Sequence, residues 1–252
     1  KKKKNIKILD LSGIKITEDQ LKILTTEYKG LLNQIELLDL SRNQIKQSHL
    51  EKICNTSILD NLQYLNLAIA ELIDRDSLKT LIESGIVKQL KGLDLSNLTL
   101  TSKQHLVDFL NSPDINNLKE LKLESITQLS SEHIEALQRE EETLELESLS
   151  LGCSPIKKEG LKLLSNIPSL KNLKQLELSG TNISGTGCLE PLSKSTHLTQ
   201  LKTLNLSNNE LDSDFLEDIA WAENLTKLEH LVIQHCIYTE KDLEALLESN
   251  NL

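Results

Sequence analysis

Few residues in this chain have the type and spacing that chemistry requires. The six histidines are His49, His105, His133, His197, His230 and His235. No pair of them stands at helical ligand spacing alongside a Cys or carboxylate partner, so no metal centre is expected. His235 and Cys236 are adjacent, but neighbouring strand residues point to opposite faces, which argues against a thiol–imidazole pair. Gly185-Thr186-Gly187 lacks the third glycine of a dinucleotide loop and reads as a turn. The acidic run Glu140-Glu141-Glu142 reads as a solvated connection rather than a cation site. The expectation is therefore no catalytic residue, no metal and no cofactor: a protein that is not an enzyme.

The composition narrows the partner. A formal net charge of −10 argues against nucleic-acid backbones and anionic membrane surfaces, which need clustered cations. Lys1–Lys4 is the one basic block, and it reads as a solvated end. No apolar h-region follows it, so no signal peptide is expected, and no apolar stretch is long enough to span a membrane. Cys54, Cys153, Cys188 and Cys236 lie far apart and read as buried free thiols of a reducing, cytoplasmic compartment. Sequons at Asn55, Asn97, Asn182, Asn205 and Asn224 read as chance, since Asn205 falls inside a strand.

The elements that position everything else are repeats. Leucine recurs at Leu9, Leu38, Leu65, Leu93, Leu121, Leu149, Leu176, Leu204 and Leu231, every 27 to 29 residues. Around each lies the pattern L-x-x-L-x-L-x-x-N-x-L, seen in Ile35–Ile45. Its core alternates with period two, as in Leu38-Asp39-Leu40, and predicts a short strand. A polar turn follows, then helical spacing such as Leu50 and Ile53 or Leu161 and Leu164. Helix starts are expected at Thr17 with Gln20, and at Ser130, Ser184, Asp212 and Thr239. With aromatic residues at 2% and no Met, the core must be aliphatic and its packing unit repeated. One unit alone buries too little apolar surface to offset the entropy of ordering its backbone, so the units must stack.

The period, the pattern and the strand–helix alternation resemble the ribonuclease-inhibitor type of leucine-rich repeat over essentially the whole chain. The resemblance implies an α/β fold: a right-handed solenoid, or horseshoe, of about nine repeats spanning 1–252, with parallel strands on the concave face and helices on the convex face. The family favours Asn or Cys at the ninth pattern position, where the side chain bonds the turn backbone. Asn43, Asn209 and Cys236 fit, and Ser154 and Thr181 substitute in part, while Ile14, Ala70, Leu98 and Ile126 depart from it. It also favours Gly early in the helical segment, met by Gly160 and Gly187. No polar capping unit is evident at either end, so the array is expected to be an excerpt of a longer protein.

The expected partner is another protein, met through the concave strand face, with no nucleic acid, no membrane and no small-molecule substrate. Ile8, Leu37 and Tyr64 are consecutive rungs of an apolar strip. Asp10, Asp39, Asn66 and Asp94 run beside it, with Arg42 at the strand's end. An aliphatic and aromatic anchor ringed by charge has the character of a binding hot spot. His230 and Val232, near Gln234 and His235, form a second candidate patch. Trp221 is expected to pack between outer helices. Such a module suits the targeting part of a bacterial effector or a cytosolic sensor. The repeat type also resembles activating proteins of Ran-family GTPases, which carry functional Arg and Asn in early-repeat loops; Arg42 and Asn43 are the comparable pair. A structural spacer is the third alternative.

Overall fold

The computed structural model describes residues 6–54, 58–70, 75–139, 144–212 and 214–249. Lys1–Lys4, the Asn55 sequon and the Glu140–Glu142 run lie outside them. The chain forms two compact units, residues 1–122 and 123–252.

The first unit carries five three-residue strands: β1 (Ile8–Asp10), β2 (Leu37–Asp39), β3 (Tyr64–Asn66), β4 (Gly92–Asp94) and β5 (Glu120–Lys122). They pair in parallel and in chain order, with Leu9, Leu38, Leu65, Leu93 and Leu121 in register. Its helices are α1 (Glu18–Glu27), α2 (Lys29–Leu32), α3 (Gln47–Cys54), α4 (Arg75–Glu83) and α5 (Lys103–Asn111). α3 packs between α1 and α4, and α4 between α3 and α5.

The second unit has α6 (Ser131–Glu135), β6 (Ser148–Ser150), α7 (Lys157–Ser165), β7 (Gln175–Glu177), α8 (Glu190–Ser193), β8 (Thr203–Asn205), α9 (Phe215–Ala220), β9 (His230–Val232) and α10 (Glu240–Glu248). Its strands are again parallel, with Leu149, Leu176, Leu204 and Leu231 in register. The core between sheet and helices is aliphatic, as the composition requires. Leu38, Leu40, Leu65, Leu67, Leu176, Leu178, Leu204 and Leu206 are all buried.

Two ladders turn the chain after each strand. The first is conformational. Gly13, Arg42, Ile69 and Asn97 in the first unit, and Ser125, Cys153, Gly180, Asn208 and His235 in the second, all have φ between 55° and 65°. The turned backbone lets each N–H reach the next turn: Gly13 N donates to Ser41 O, Arg42 N to Ala68 O and Ile69 N to Ser96 O, each at 2.9 Å. The second ladder is chemical. Asn209 Nδ2 donates to Leu178 O at 2.7 Å and Leu206 O at 2.9 Å, and its Oδ1 accepts from the backbone of Thr181 and Ile183 at 3.1 Å. Asn43 repeats this with Leu11 O, Leu40 O and Ile16 N. The expected partial substitutes act in part: Ser154 Oγ donates to Leu123 O and accepts from Ile126 N, and Thr181 Oγ1 donates to Leu178 O at 2.7 Å. Cys236, expected to fit the position, places its Sγ 3.3 Å from Leu206 O.

Helix starts follow the sequence at Thr17, whose side chain caps α1 while Gln20 Oε1 accepts from Thr17 N at 2.9 Å. Ser130 with His133, and Thr239 with Asp242, do the same for α6 and α10. Ser184 and Asp212 are not caps. α8 begins at Glu190 and α9 at Phe215, because Ser184 forms a bridge with Glu210 and Asp212 accepts from Gly187 N at 2.6 Å. Gly187 accordingly sits before α8 at φ 60°, whereas Gly160 lies within α7, tight against Ile156.

Candidate functional site

On the strand face of the first unit, the apolar strip is present. Ile8 is 62% and Tyr64 39% exposed, with Leu37 half-buried between them in register. The Tyr64 ring extends the strip one rung further by lying over Gly92, the strand position without a side chain. Leu37, Tyr64 and Gly92, with Asp39, Asn66, Asp94, Glu120 and Lys122, line a shallow depression of about 180 Å³. Lys122 and Glu120 close its far edge as an ion pair at 3.0 Å.

The neighbouring polar column does two jobs. Each of its acceptors closes the turn two residues on: Asp10, Asp39 and Asp94 take the N–H of Ser12, Ser41 and Ser96 at 2.8–2.9 Å. The Ser12 backbone N–H, and then its hydroxyl, hold the Asp10 carboxyl below the usual carboxylate range. Asp39 Oδ2 also accepts from Asn66 Nδ2 at 2.9 Å, and Asn66 Oδ1 accepts from Ala68 N. These groups are thus fixed in place by the fold before any partner arrives. The second unit shows the same device, with Glu177 accepting from Ser179 N and Asn205 Nδ2.

The second candidate patch lies on the second unit. His230 and Gln234 are exposed and Val232 is half-buried, while His235 occupies the left-handed turn position at φ 56°. Trp221 is not packed between helices: it caps the C-terminus of α9 and is 52% exposed. Cys54, Cys188 and Cys236 are buried free thiols, and burial pushes Cys54 up to about 12. Cys153 differs from the expectation. It is exposed because it stands at a turn position whose side chain points away from the core.

Two histidines have structural work. His49 Nδ1 accepts from Lys46 N and His133 Nδ1 from Ser130 N, both at 3.1 Å, where Gln20 serves α1. Arg42 is exposed, but Asn43 is buried with its amide committed to the turn backbone, so the two do not form a joint site. No group of three or more His, Cys, Asp or Glu suited to a metal occurs among the described residues. No described helix is long and apolar enough to cross a membrane.

Sequence reasoning missed a cleft at the turn edge of the same unit. Lys15, Ile16, Thr17 and Glu18 from one repeat face Arg42, Gln44, Lys46 and His49 from the next, with Ile69 at its rim, around a volume of about 700 Å³. The signal lay in the repeat register itself: aligning Leu9 on Leu38 sets residues 13–18 beside 42–47.

The fold is of the α/β leucine-rich repeat class, with each unit a stack of parallel strand and helix. Two family models agree, Leucine Rich Repeat over residues 200–221 and Leucine Rich repeat over 169–190. The fold is similar to that in the crystal structure of a TLR13–ssRNA13 complex, with a TM-score of 0.55 and 20% identity over 97% of this chain. This chain spans 38% of that one. An internalin (inlF) from Listeria monocytogenes also matches, at 20% identity and a TM-score of 0.49, over 88% of this chain and 68% of its own.

Proposed function

We propose that this protein is a recognition module that binds another protein through the strand face of its first unit. The observation carrying this reading is the strip formed by exposed Ile8, half-buried Leu37 and exposed Tyr64, flanked by pre-bonded carboxylates. Exposed aromatic and aliphatic side chains held on rigid strands lose little entropy on binding, and anchors of this kind dominate interface energies. Asp39 and Asn66 beside them need no rearrangement to meet a partner's donors. The His230–Val232 patch is a secondary contact in this reading.

The closer affiliation we favour is the ribonuclease-inhibitor-like repeat type, from the strand spacing and the helix in each repeat. A cytoplasmic setting, in an effector or a sensor, suits the three buried thiols. The fold gives no ground for excluding nucleic acid, since it is shared with a protein crystallised with ssRNA13. The preference for a protein partner rests on the net charge of −10. A GTPase-activating role would have to rest on Arg42 alone, with Asn43 buried in the turn.

The test compares immobilised parent chain with an Ile8→Asp/Tyr64→Ala chain and with a helix-side control, Lys103→Glu. Asp39 is left intact because its loss would open the turn at Ser41. Proteins retained by parent and control but lost from the strand-face variant support the reading. Identical retention by all three folded chains refutes it in favour of a spacer.

A further inference from the structure

We propose that the cleft between the first two turns of the first unit binds an acidic segment of a partner protein, its carboxylates held by Lys15, Arg42 and Lys46. This rests on the reading of the protein as a partner-binding module, and it adds a second site of opposite charge to the acidic column.

The charge distribution carries the inference. In a chain of net charge −10, three cations line one cleft of about 700 Å³, a volume within the range of specific binding sites. Five other lysines of the unit pair with carboxylates: Lys7 with Glu36, Lys52 with Glu18, Lys79 with Glu83, Lys88 with Asp114 and Lys122 with Glu120. Lys15, Arg42 and Lys46 enter no ion pair among the described residues.

The one carboxylate on the cleft wall does not cancel them. Glu18 receives Lys52 Nζ and Ser48 Oγ, each at 2.7 Å, and these bonds hold its carboxyl at about 2. Its charge is already balanced by Lys52, outside the lining. His49, buried and accepting from Lys46 N, has its pKa lowered by desolvation and adds no charge of its own at neutral pH. The cleft therefore presents about three uncompensated positive charges to solvent.

The geometry selects the ligand class. The Arg42 backbone is fixed by its N–H bond to Ala68 O, so its fork emerges from a rigid turn, suited to a bidentate carboxylate. Exposed Ile69 at the rim offers apolar contact to the stems of acidic side chains. No Phe, Tyr or Trp lines the cleft to stack a base, the His49 ring is buried, and three cations are few for a polyphosphate backbone. The observations favour a peptide over RNA.

Fluorescence anisotropy with fluorescein-labelled octaglutamate tests this on the whole chain, at low and at physiological ionic strength. Binding by the parent should weaken at least about tenfold in Arg42→Glu/Lys46→Glu, the scale of one lost charge-assisted contact. A control with the same change in net charge, Lys171→Glu/Lys227→Glu in the second unit, should bind as the parent does. So should Tyr64→Ala, which separates this site from the strand face: the two readings then fail independently. If the reversal variant does not fold, by circular dichroism, Lys15→Ala/Lys46→Ala decides, and unchanged affinity there overturns the proposal. It is also overturned if the folded parent does not bind, if the control weakens equally, or if octauridylate displaces the peptide more tightly than the peptide binds.

Discussion

Tyr64 lies across Gly92 on the neighbouring strand, so closely that a Cβ at residue 92 would stand 2.4 Å from Tyr64 Cδ1 and 2.8 Å from Cε1. The glycine is there for close approach, and the ring is held flat on the sheet. Gly92→Ala should therefore lift the ring and cost about 1 kcal/mol in urea unfolding. In a Tyr64→Ala background the same change should be neutral or stabilising, since Ala suits a strand better than Gly. A double-mutant cycle measures the difference, and additivity of the two changes would contradict the contact.

Asn209 joins two consecutive turns through both ends of its amide. Asn209→Ala should leave buried backbone groups of Leu178, Thr181 and Ile183 without this partner and cost about 2–4 kcal/mol. Asn209→Ser should cost less, because Ser154 bonds one carbonyl and one N–H from the equivalent position. Chemical denaturation of the two variants orders them; equal losses would mean that side-chain bonding is not the cause.

Ile69 holds φ 57° with a β-branched side chain, 40% exposed. The left-handed region costs such residues about 1–2 kcal/mol. Asn97 and Asn208 occupy the equivalent turn position without that penalty. Ile69→Asn should raise stability by about 0.5–1 kcal/mol, after loss of the partly buried side chain. A urea midpoint that falls would show that Ile69 contributes packing beyond its turn.

His49 must stay unprotonated at Nδ1 to accept from Lys46 N at the start of α3. Burial lowers its pKa from the ordinary value of 6.5. A base with a depressed folded pKa binds its proton more readily when unfolded. Its stabilising effect is thus complete above about 6.5 and is lost as pH falls through the folded value. The melting temperature should drop on acidification from neutral pH. His49→Gln, which supplies the oxygen that Gln20 supplies in α1, should flatten that drop. An unchanged pH profile in the variant would assign the effect elsewhere.

The strand leucines, the aliphatic core and the Asn43 and Asn209 positions were legible because each repeat states the same local rule. Averaging over nine copies suppresses noise that defeats single-segment reading. Ser184 and Asp212 misled because a cap is a local signature, whereas Asp212 is claimed by Gly187 in the preceding repeat. Trp221 misled because its position near a helix says nothing of which side of the terminus it occupies. Cys153 was misjudged because thiols are usually buried, yet a left-handed turn turns the side chain outward.

The sequence by itself determined the period, the strand register and therefore which side chains face away from the core, because a two-residue alternation pinned by buried leucine leaves only one orientation. Only the tertiary structure decided how those side chains are spent. Hydrogen bonds from Ser41 and Asn66 commit Asp39, the ring of Tyr64 commits Gly92, and the juxtaposition of two turns brings Lys15 to Arg42 and Lys46. Apart from the local Ser41–Asp39 bond, those contacts join Asp39 to Asn66, Tyr64 to Gly92 and Lys15 to Arg42, each pair in different repeats, and no local pattern encodes a contact that exists only once neighbouring repeats have stacked.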